Sequence, residues 1–182
     1  SVGMFAIALW DRAIRRLSLI RDRMGEKPLY FGWQRSALLF GSEPAALRVH
    51  PAFEHRIDTS ALESYIDLGY VTGPGSIYAG IRRVPPGTVI QIDGGQTADG
   101  PKATKSWVYW SLVETARRSA TESFKGSLDD AADRLEELMD SALSGQMLAD
   151  VPVGAFLSGG IDSSLVVAMM QRVGRRPVRT FS

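Results

Sequence analysis

The segment that most constrains the fold of this chain runs from residue 151 to residue 173. Val151–Leu157 is an apolar run of strand length, and Ser164–Val173 is an apolar run of helical length. Small and polar residues separate the two runs, so the order predicts a strand, a loop and a helix. A helix is predicted before this unit, over 128–147, and a second strand after it, from Pro177. This order indicates a parallel α/β sheet.

The loop of this unit has the composition of an anion-binding turn. In open α/β sheets, ligands bind beyond the carboxyl ends of the strands, where this loop is expected to lie. Two adjacent glycines, Gly159 and Gly160, let the backbone turn sharply and approach a ligand. Free N–H groups at the helix start favour an anion. Hydroxyl donors suited to phosphate oxygens flank the glycines at Ser158, Ser163 and Ser164. The alternative is a turn without a ligand, which would not need this set of residues.

Asp162 narrows the kind of ligand, because a carboxylate repels a bare anion. Its presence is explained if Mg²⁺ accompanies the phosphates, with Asp162 as a predicted metal ligand. The loop is not the Walker sequence, which requires GxxxxGK[ST], and it is not GxGxxG. The sequence therefore predicts a site for phosphates bound with magnesium.

The first part of the chain has short strands and helices in an α+β pattern. They are predicted over residues 4–10, 16–21, 28–33, 37–41, 43–48, 59–68 and 88–92. The first four segments predict two β-hairpins. Asp58 or Thr59 is the expected N-cap of the second helix, which ends at Gly69. The residues around Leu29 predict a strand that is buried on both faces.

Several residues of the first part are interpreted as structural. Arg21 and Asp22 are predicted to form an ion pair that braces a turn at Gly25. Glu43 is predicted to cap the short helix that follows it. The aromatic residues predicted to lie in the core are Trp10, Tyr30, Phe31 and Trp33.

The domain boundary is predicted where the hydrophobic alternation stops, after Trp110. Polar residues dominate from there to Ser127, which with Asp130 predicts a capping box at the start of a helix. The predicted organisation is a domain over 1–110, a linker over 111–126 and a second domain over 127–182.

Charge and composition exclude several function classes. With 21 basic and 20 acidic residues, the chain has no electrostatic footprint for nucleic acid or an anionic membrane. No apolar run reaches the ~20 residues of a transmembrane helix. The chain has no cysteine, which rules out a disulfide scaffold and a thiol nucleophile. His50 and His55 are interpreted as surface residues rather than metal ligands. Neither end looks like a natural terminus, and no signal peptide is recognisable, so a piece of a cytoplasmic protein is expected.

Two sets of motifs carry a family resemblance. Ser158–Ser163 resembles SGGxDS, the pyrophosphate-binding loop of the N-type ATP pyrophosphatases, which include the synthetases of GMP, NAD, argininosuccinate and asparagine. The flanking residues, Met147–Leu157 and Thr180–Ser182, look like those of asparagine synthetases. The first part is similar to class II glutamine amidotransferases at Gly3–Ala6, Trp10–Asp11, Arg21–Tyr30, Gly41–Leu47, Val84–Gly87 and Tyr109–Trp110. Together they resemble the glutamine-hydrolysing asparagine synthetases.

The resemblance implies a fold, cofactors and partners. It implies the C-terminal part of an Ntn-hydrolase-like glutaminase β-sandwich with helices. The first helix, strand, loop and helix of a parallel-sheet ATP pyrophosphatase domain would follow. ATP, Mg²⁺, aspartate and glutamine are the implied ligands, and a homodimer is the expected assembly. In such enzymes aspartate is adenylated, ammonia from glutamine displaces AMP, and asparagine and pyrophosphate are products. The resemblance adds the backbone of Leu157 to the nucleotide contacts.

One departure from the family pattern concerns the glutaminase nucleophile. In the family this is the amino-terminal cysteine of the mature chain, which these residues lack. No catalytic residue is therefore assigned here, and this piece alone is expected to be inactive. Two alternatives stay open. One is a related amidotransferase or cyclising synthetase that acts on another carboxylate, in antibiotic or polysaccharide pathways. The other is a non-catalytic fragment.

Overall fold

A computed structural model describes residues 2–94, 96–97, 100–101, 104–174 and 176–182. The chain folds as two compact units, Val2–Ala120 and Thr121–Ser182. The first combines helices with antiparallel sheets, and the second contains a parallel strand pair between helices. Within the described residues, no helix is both long enough and apolar enough to span a membrane.

Within its described residues, the first unit contains nine strands and two complete helices, and a third helix continues by one residue into the second unit. In chain order they are β1 (Ala6–Asp11), β2 (Arg16–Arg21), β3 (Tyr30–Gln34), β4 (Ala37–Gly41), α1 (Pro44–Arg48), α2 (Thr59–Leu68), β5 (Arg82–Arg83), β6 (Thr88–Asp93), β7 (Gln96–Thr97), β8 (Gly100–Pro101), β9 (Thr104–Val108) and α3 (Leu112–Thr121). One sheet has the order β1-β2-β6-β9 and another has the order β4-β3-β5, while β7 and β8 form a separate pair. All of these pairings are antiparallel, and both predicted hairpins are confirmed.

The main core of this unit lies on one face of the two central strands, β2 and β6. Leu17 pairs with Ile92 and Leu19 pairs with Ile90 across the antiparallel register. All four side chains are buried because alternate residues of a strand face the same side of the sheet. A second core cluster lies between α1, β4 and the segments around them, and it contains Leu39, Leu47, Phe53 and Ile81.

The structure corrects the predictions made for the four aromatic residues and for Glu43. Trp10 is 47% exposed because β1 is the outer strand of its sheet. Tyr30 and Phe31 are half-buried and each packs against a different core cluster, so the two faces of β3 are partly rather than fully buried. Leu29 is buried just before this strand begins. Glu43 occupies the N-cap position of α1, but its side chain makes no capping hydrogen bond. Trp33 is also half-buried and, like Phe31, packs against the main core.

Arg21 and Asp22 do not form the predicted ion pair, since each of them bonds to the backbone instead. The Arg21 guanidinium donates to the carbonyl oxygens of Gly25, Lys27 and Val84 at 2.5, 2.9 and 2.7 Å. Gly25 does lie at a turn, with φ of +70°, and a side chain there would collide with a ring carbon of a nearby proline. The side chains of Arg21 and Asp22 therefore hold the turn through hydrogen bonds to backbone atoms.

In the second unit, helices flank a pair of parallel strands. Its elements are α4 (Leu128–Gln146), β10 (Gly154–Phe156), α5 (Ile161–Val173) and β11 (Arg179–Phe181). β10 and β11 pair in parallel, with Ala155 opposite Thr180. Arg172 of α5 bonds to Glu136 and, at 2.6 Å, to Asp140 of α4. Hydrogen bonds to Asp140 and Glu136 raise the pKa of Arg172, so this contact between the two helices keeps its charge.

The predicted caps of α2 and α4 are confirmed, while the lengths of other elements differ from the prediction. Ser127 and Asp130 form the predicted capping box at the start of α4, and Asp58 caps α2 by accepting the N–H of Ala61 at 3.0 Å. The strand predicted over 151–157 has three residues because it exists only where β11 pairs with it. Although this strand is apolar in sequence, Phe156 is 86% exposed within the described residues. The residues predicted as a linker contain α3, a helix that the sequence analysis did not predict.

Candidate functional site

The loop after β10 lies at the carboxyl end of a parallel strand and at the amino end of a helix. The N–H of Leu157 donates to the carbonyl oxygen of Phe181 at 2.8 Å, which extends the strand pairing by one residue. Gly160 is the N-cap of α5, whose first residue is Ile161. The helix therefore begins three residues earlier than predicted, and Asp162, Ser163 and Ser164 lie in its first turn. The non-helical part of the loop is limited to Ser158–Gly160.

The two adjacent glycines have different physical roles. Gly159 has φ of +78°, a conformation that side chains disfavour, although a Cβ there would meet no atom within 4 Å. Gly160 has φ of −77°, which any residue can adopt. A Cβ at Gly160 would lie 3.7 Å from Ser158 Oγ and 3.9 Å from Ser163 Oγ. Gly159 thus permits the turn, while Gly160 leaves space beside two hydroxyl groups.

The start of α5 presents backbone N–H groups that the helix does not use. The first helical bond runs from the N–H of Ser164 to the carbonyl oxygen of Gly160 at 3.1 Å. The N–H groups of Ile161, Asp162 and Ser163 precede that bond and have no acceptor within the helix. Ile161 and Asp162 are exposed and Ser163 is half-buried. With the positive end of the helix dipole, this arrangement favours an anion.

Two of the three loop serines bond to each other. Ser163 Oγ donates to the carbonyl oxygen of Gly160 at 3.1 Å, and it lies 3.1 Å from Ser158 Oγ. Ser164 is exposed on the next position of the helix. Sequence reasoning treated the three hydroxyls as equivalent donors and missed this pairing. The spacing of five residues, from the loop into the first helical turn, was the available signal.

Asp162 is exposed and is the only carboxylate in the loop. Across the described residues, no group of three or more His, Asp or Glu side chains could hold a metal ion by itself. Mg²⁺ usually takes one or two protein carboxylates and completes its coordination with water and substrate phosphates. One exposed carboxylate beside a turn that favours an anion fits this donor chemistry. Because the N–H of Leu157 is engaged in the sheet, the backbone contact that the family resemblance implies for this residue would have to use its carbonyl group.

Among the described residues of the first unit, the most buried carboxylate is that of Asp22, and its contacts indicate a structural role. Asp22 is 1% exposed and accepts the N–H groups of Glu26 and Lys27 at 2.9 Å and of Phe5 at 3.3 Å. Burial raises the pKa of Asp22, but the backbone hydrogen bonds outweigh that effect and hold the pKa below its usual value. A carboxylate kept ionised and surrounded by backbone donors is an acceptor, not a proton donor. The interpretation of this segment as structural therefore agrees with its geometry.

The two histidines lie on the surface, as predicted. Both are exposed, and His50 Nδ1 accepts the N–H of Ala52 at 3.1 Å. The ring of His55 makes an edge contact with Phe53, with centroids 5.1 Å apart. Neither residue belongs to a cluster that could bind a metal in the described part of the chain.

Two families of known proteins match separate parts of this chain. Residues 1–108 match the glutamine amidotransferase domain family, and residues 134–182 match the asparagine synthase family. Asparagine synthetase [glutamine-hydrolyzing] 3 of Bacillus subtilis is 34% identical over 99% of this chain, which covers 28% of that protein. Asparagine synthetase [glutamine-hydrolyzing] 1 of the same organism is 30% identical over 99% of the chain, which covers 26% of it. Amidase chry2 of Gibberella zeae is 29% identical over 94% of the chain, which covers 24% of it. The chain thus spans about a quarter of the length of these relatives.

Proposed function

Since the chain belongs to the family that joins a glutamine amidotransferase domain to an asparagine synthase domain, we propose that the whole protein is a glutamine-hydrolysing asparagine synthetase. It would convert aspartate to asparagine, with ATP as the energy source and glutamine as the source of ammonia. The names of the relatives support this general reaction. The loop Ser158–Ser164 would hold the pyrophosphate part of ATP.

The proposed reaction has two steps. A side-chain carboxylate oxygen of aspartate attacks the α-phosphorus of ATP, and the bond to the β-phosphate oxygen breaks. Pyrophosphate leaves and β-aspartyl-AMP forms. Ammonia then attacks the carbonyl carbon, the bond to the AMP oxygen breaks, and the nitrogen loses a proton. Adenylation is needed because a carboxylate is a poor electrophile with a poor leaving group.

The observation that supports the nucleotide assignment most is the geometry of the loop. Negative charge builds on the departing pyrophosphate, and preorganised donors stabilise such charge best. The N–H groups of the exposed residues Ile161 and Asp162 and the hydroxyl groups of Ser158 and Ser164 are such donors. Mg²⁺ held with Asp162 would neutralise part of the phosphate charge. Gly159 and Gly160 keep the backbone near the phosphates, and the carbonyl group of Leu157 contacts the nucleotide.

The remaining parts of the proposal concern architecture and context. Residues 1–110 would belong to an Ntn-hydrolase-like glutaminase sandwich, 111–126 would connect the domains, and 127–182 would begin the ATP pyrophosphatase domain. The nucleophilic cysteine of glutamine hydrolysis would lie outside these residues, which contain none. We place the protein in the cytoplasm, where ATP and both amino acids are available, and propose a homodimer.

The direct test supplies the intact protein with ATP, Mg²⁺, aspartate and glutamine and measures products by chromatography. Equal amounts of asparagine, AMP and pyrophosphate are expected. Formation of ADP and phosphate would contradict the proposed adenylation. A parallel reaction with ammonium chloride separates the two nitrogen sources, since a protein without a working glutaminase would use only free ammonia.

A second candidate is an amidotransferase or cyclising synthetase that acts on a different carboxylate. The similarity to amidase chry2 supports this second candidate, because that relative carries a different name yet is similar over 94% of this chain. The described loop recognises phosphates and would serve either enzyme. The aspartate dependence of ATP–pyrophosphate exchange separates the two. Exchange that requires aspartate supports the first candidate, while exchange driven by another carboxylic acid supports the second.

A further inference from the structure

The three loop serines are not equivalent, and their hydrogen bonds assign them different roles. A serine hydroxyl has one hydrogen to donate and can accept through its lone pairs. Ser163 Oγ uses its hydrogen on the carbonyl oxygen of Gly160, at 3.1 Å. In its contact with Ser158 Oγ, also at 3.1 Å, Ser163 must therefore be the acceptor. The hydrogen of Ser158 points toward Ser163 in this state of the loop.

The carbonyl group of Gly160 is the acceptor on which this arrangement depends. A carbonyl oxygen that faced a bound phosphate would repel it. The Gly160 oxygen instead accepts two hydrogen bonds from α5, one from the N–H of Ser164 and one from Ser163 Oγ, both at 3.1 Å. These bonds direct the carbonyl group toward the helix. Ser163 therefore fixes the backbone of the turn from the inner side, consistent with its half-buried position.

From this geometry we infer that Ser163 is a positioning residue of the loop, which acts on the phosphate ligand through Ser158. The inference rests on the proposed function, because it concerns the same loop. Ser163 Oγ holds the hydroxyl of Ser158 at a fixed place at the edge of the turn. When phosphate binds, Ser158 rotates its hydrogen to a phosphate oxygen while Ser163 keeps its own hydrogen on Gly160. Ser158 thus makes the contact, and Ser163 sets where that contact is made.

A double-mutant cycle on the intact protein tests the inference, with magnesium pyrophosphate as the probe and calorimetry as the measurement. Ser158→Ala removes a hydrogen bond to a charged phosphate oxygen and is expected to weaken pyrophosphate binding about twentyfold. Ser163→Ala removes a neutral hydrogen bond that positions Ser158 and is expected to weaken binding about fivefold. Because Ser163 acts through Ser158, the double variant should lose no more than Ser158→Ala alone, about twentyfold. Independent contacts would multiply instead, to about a hundredfold. Ser163→Thr keeps a hydroxyl group and is expected to bind within about twofold of the unaltered protein.

A matched control comes from α4, where Ser144 Oγ donates to the carbonyl oxygen of Asp140 at 2.7 Å. Ser144→Ala removes the same kind of bond outside the loop and should leave pyrophosphate binding unchanged. The positioning role would be overturned if the losses of affinity in the two single variants multiply in the double variant, or if Ser163→Ala binds pyrophosphate with unchanged affinity. Either result would leave the nucleotide assignment standing. If the unaltered protein does not bind magnesium pyrophosphate, the proposed function of the loop fails and the inference fails with it.

Discussion

The carboxylate of Asp22 accepts the backbone N–H of Lys27 at 2.9 Å, five residues further along the chain. The same carboxylate binds the N–H of Glu26, while the carbonyl oxygen of Asp22 accepts the N–H groups of Gly25 and Gly87. One buried residue therefore connects the end of β2, the following turn and the segment before β6. This is the role that the sequence assigned to an ion pair with Arg21.

Replacing Asp22 by asparagine is expected to lower the free energy of unfolding of the first unit by about 2–4 kcal/mol. The amide has one acceptor oxygen and places a donor against backbone N–H groups, so buried donors lose their partner. Denaturant unfolding of the intact protein measures the effect. Asp11→Asn is the matched control, because Asp11 accepts the N–H groups of Ala13 and Ile14 at an exposed turn. Asp11→Asn should lower the free energy of unfolding by less than half as much as Asp22→Asn does. Equal losses would contradict the role of burial.

The stabilisation by Asp22 is expected to depend on pH. Its pKa is lowered in the folded protein, so its contribution is fully present above the unfolded pKa of about 3.9. The contribution is lost as the pH falls below that value and through the folded pKa. The difference in unfolding free energy between the unaltered protein and Asp22→Asn should therefore be constant from pH 7 to about pH 5 and shrink toward pH 3. A difference that stays constant down to pH 3 would show that the ionised carboxylate is not the stabilising form.

The two loop glycines should respond differently to alanine. Gly159→Ala places a side chain at φ of +78° and is expected to cost about 1–2 kcal/mol of stability. Gly160→Ala is compatible with its backbone and should cost less than about 1 kcal/mol. Its methyl group, however, would lie beside the hydroxyls of Ser158 and Ser163, 3.7 and 3.9 Å from their oxygens, so it should weaken magnesium pyrophosphate binding more than Gly159→Ala does. Thermal unfolding and calorimetry of both variants check this, and the reverse order of affinities would contradict the role given to Gly160.

The sequence predicts most local structure of this chain because the determining signals are local. Asp58 before α2 and the pair of Ser127 and Asp130 before α4 specify helix starts through their own side chains, and the structure has both caps. The start of α5 was placed at Ser164 instead of Ile161, since glycine N-caps carry no side chain that marks the boundary.

Burial and long-range partners were harder to predict because they depend on strand order. Trp10 is as apolar as a core residue, yet β1 lies at the edge of its sheet and leaves it half exposed. Arg21 donates to Val84, a residue 63 positions away that no local pattern identifies. In the loop, the residue types predict an anion site, but the hydrogen bond between Ser158 and Ser163 is seen only in the structure.

The central claim is that Ser158–Ser164 binds the phosphates of ATP, and Asp162→Ala tests it most directly. The measurement is the exchange of labelled pyrophosphate into ATP by the intact protein, with glutamine hydrolysis measured in the same preparation. Asp133→Ala, which removes an exposed carboxylate from α4, is the control and should retain both activities. The account predicts that Asp162→Ala abolishes exchange and leaves glutamine hydrolysis intact. Unchanged exchange in Asp162→Ala would contradict the assignment of this loop.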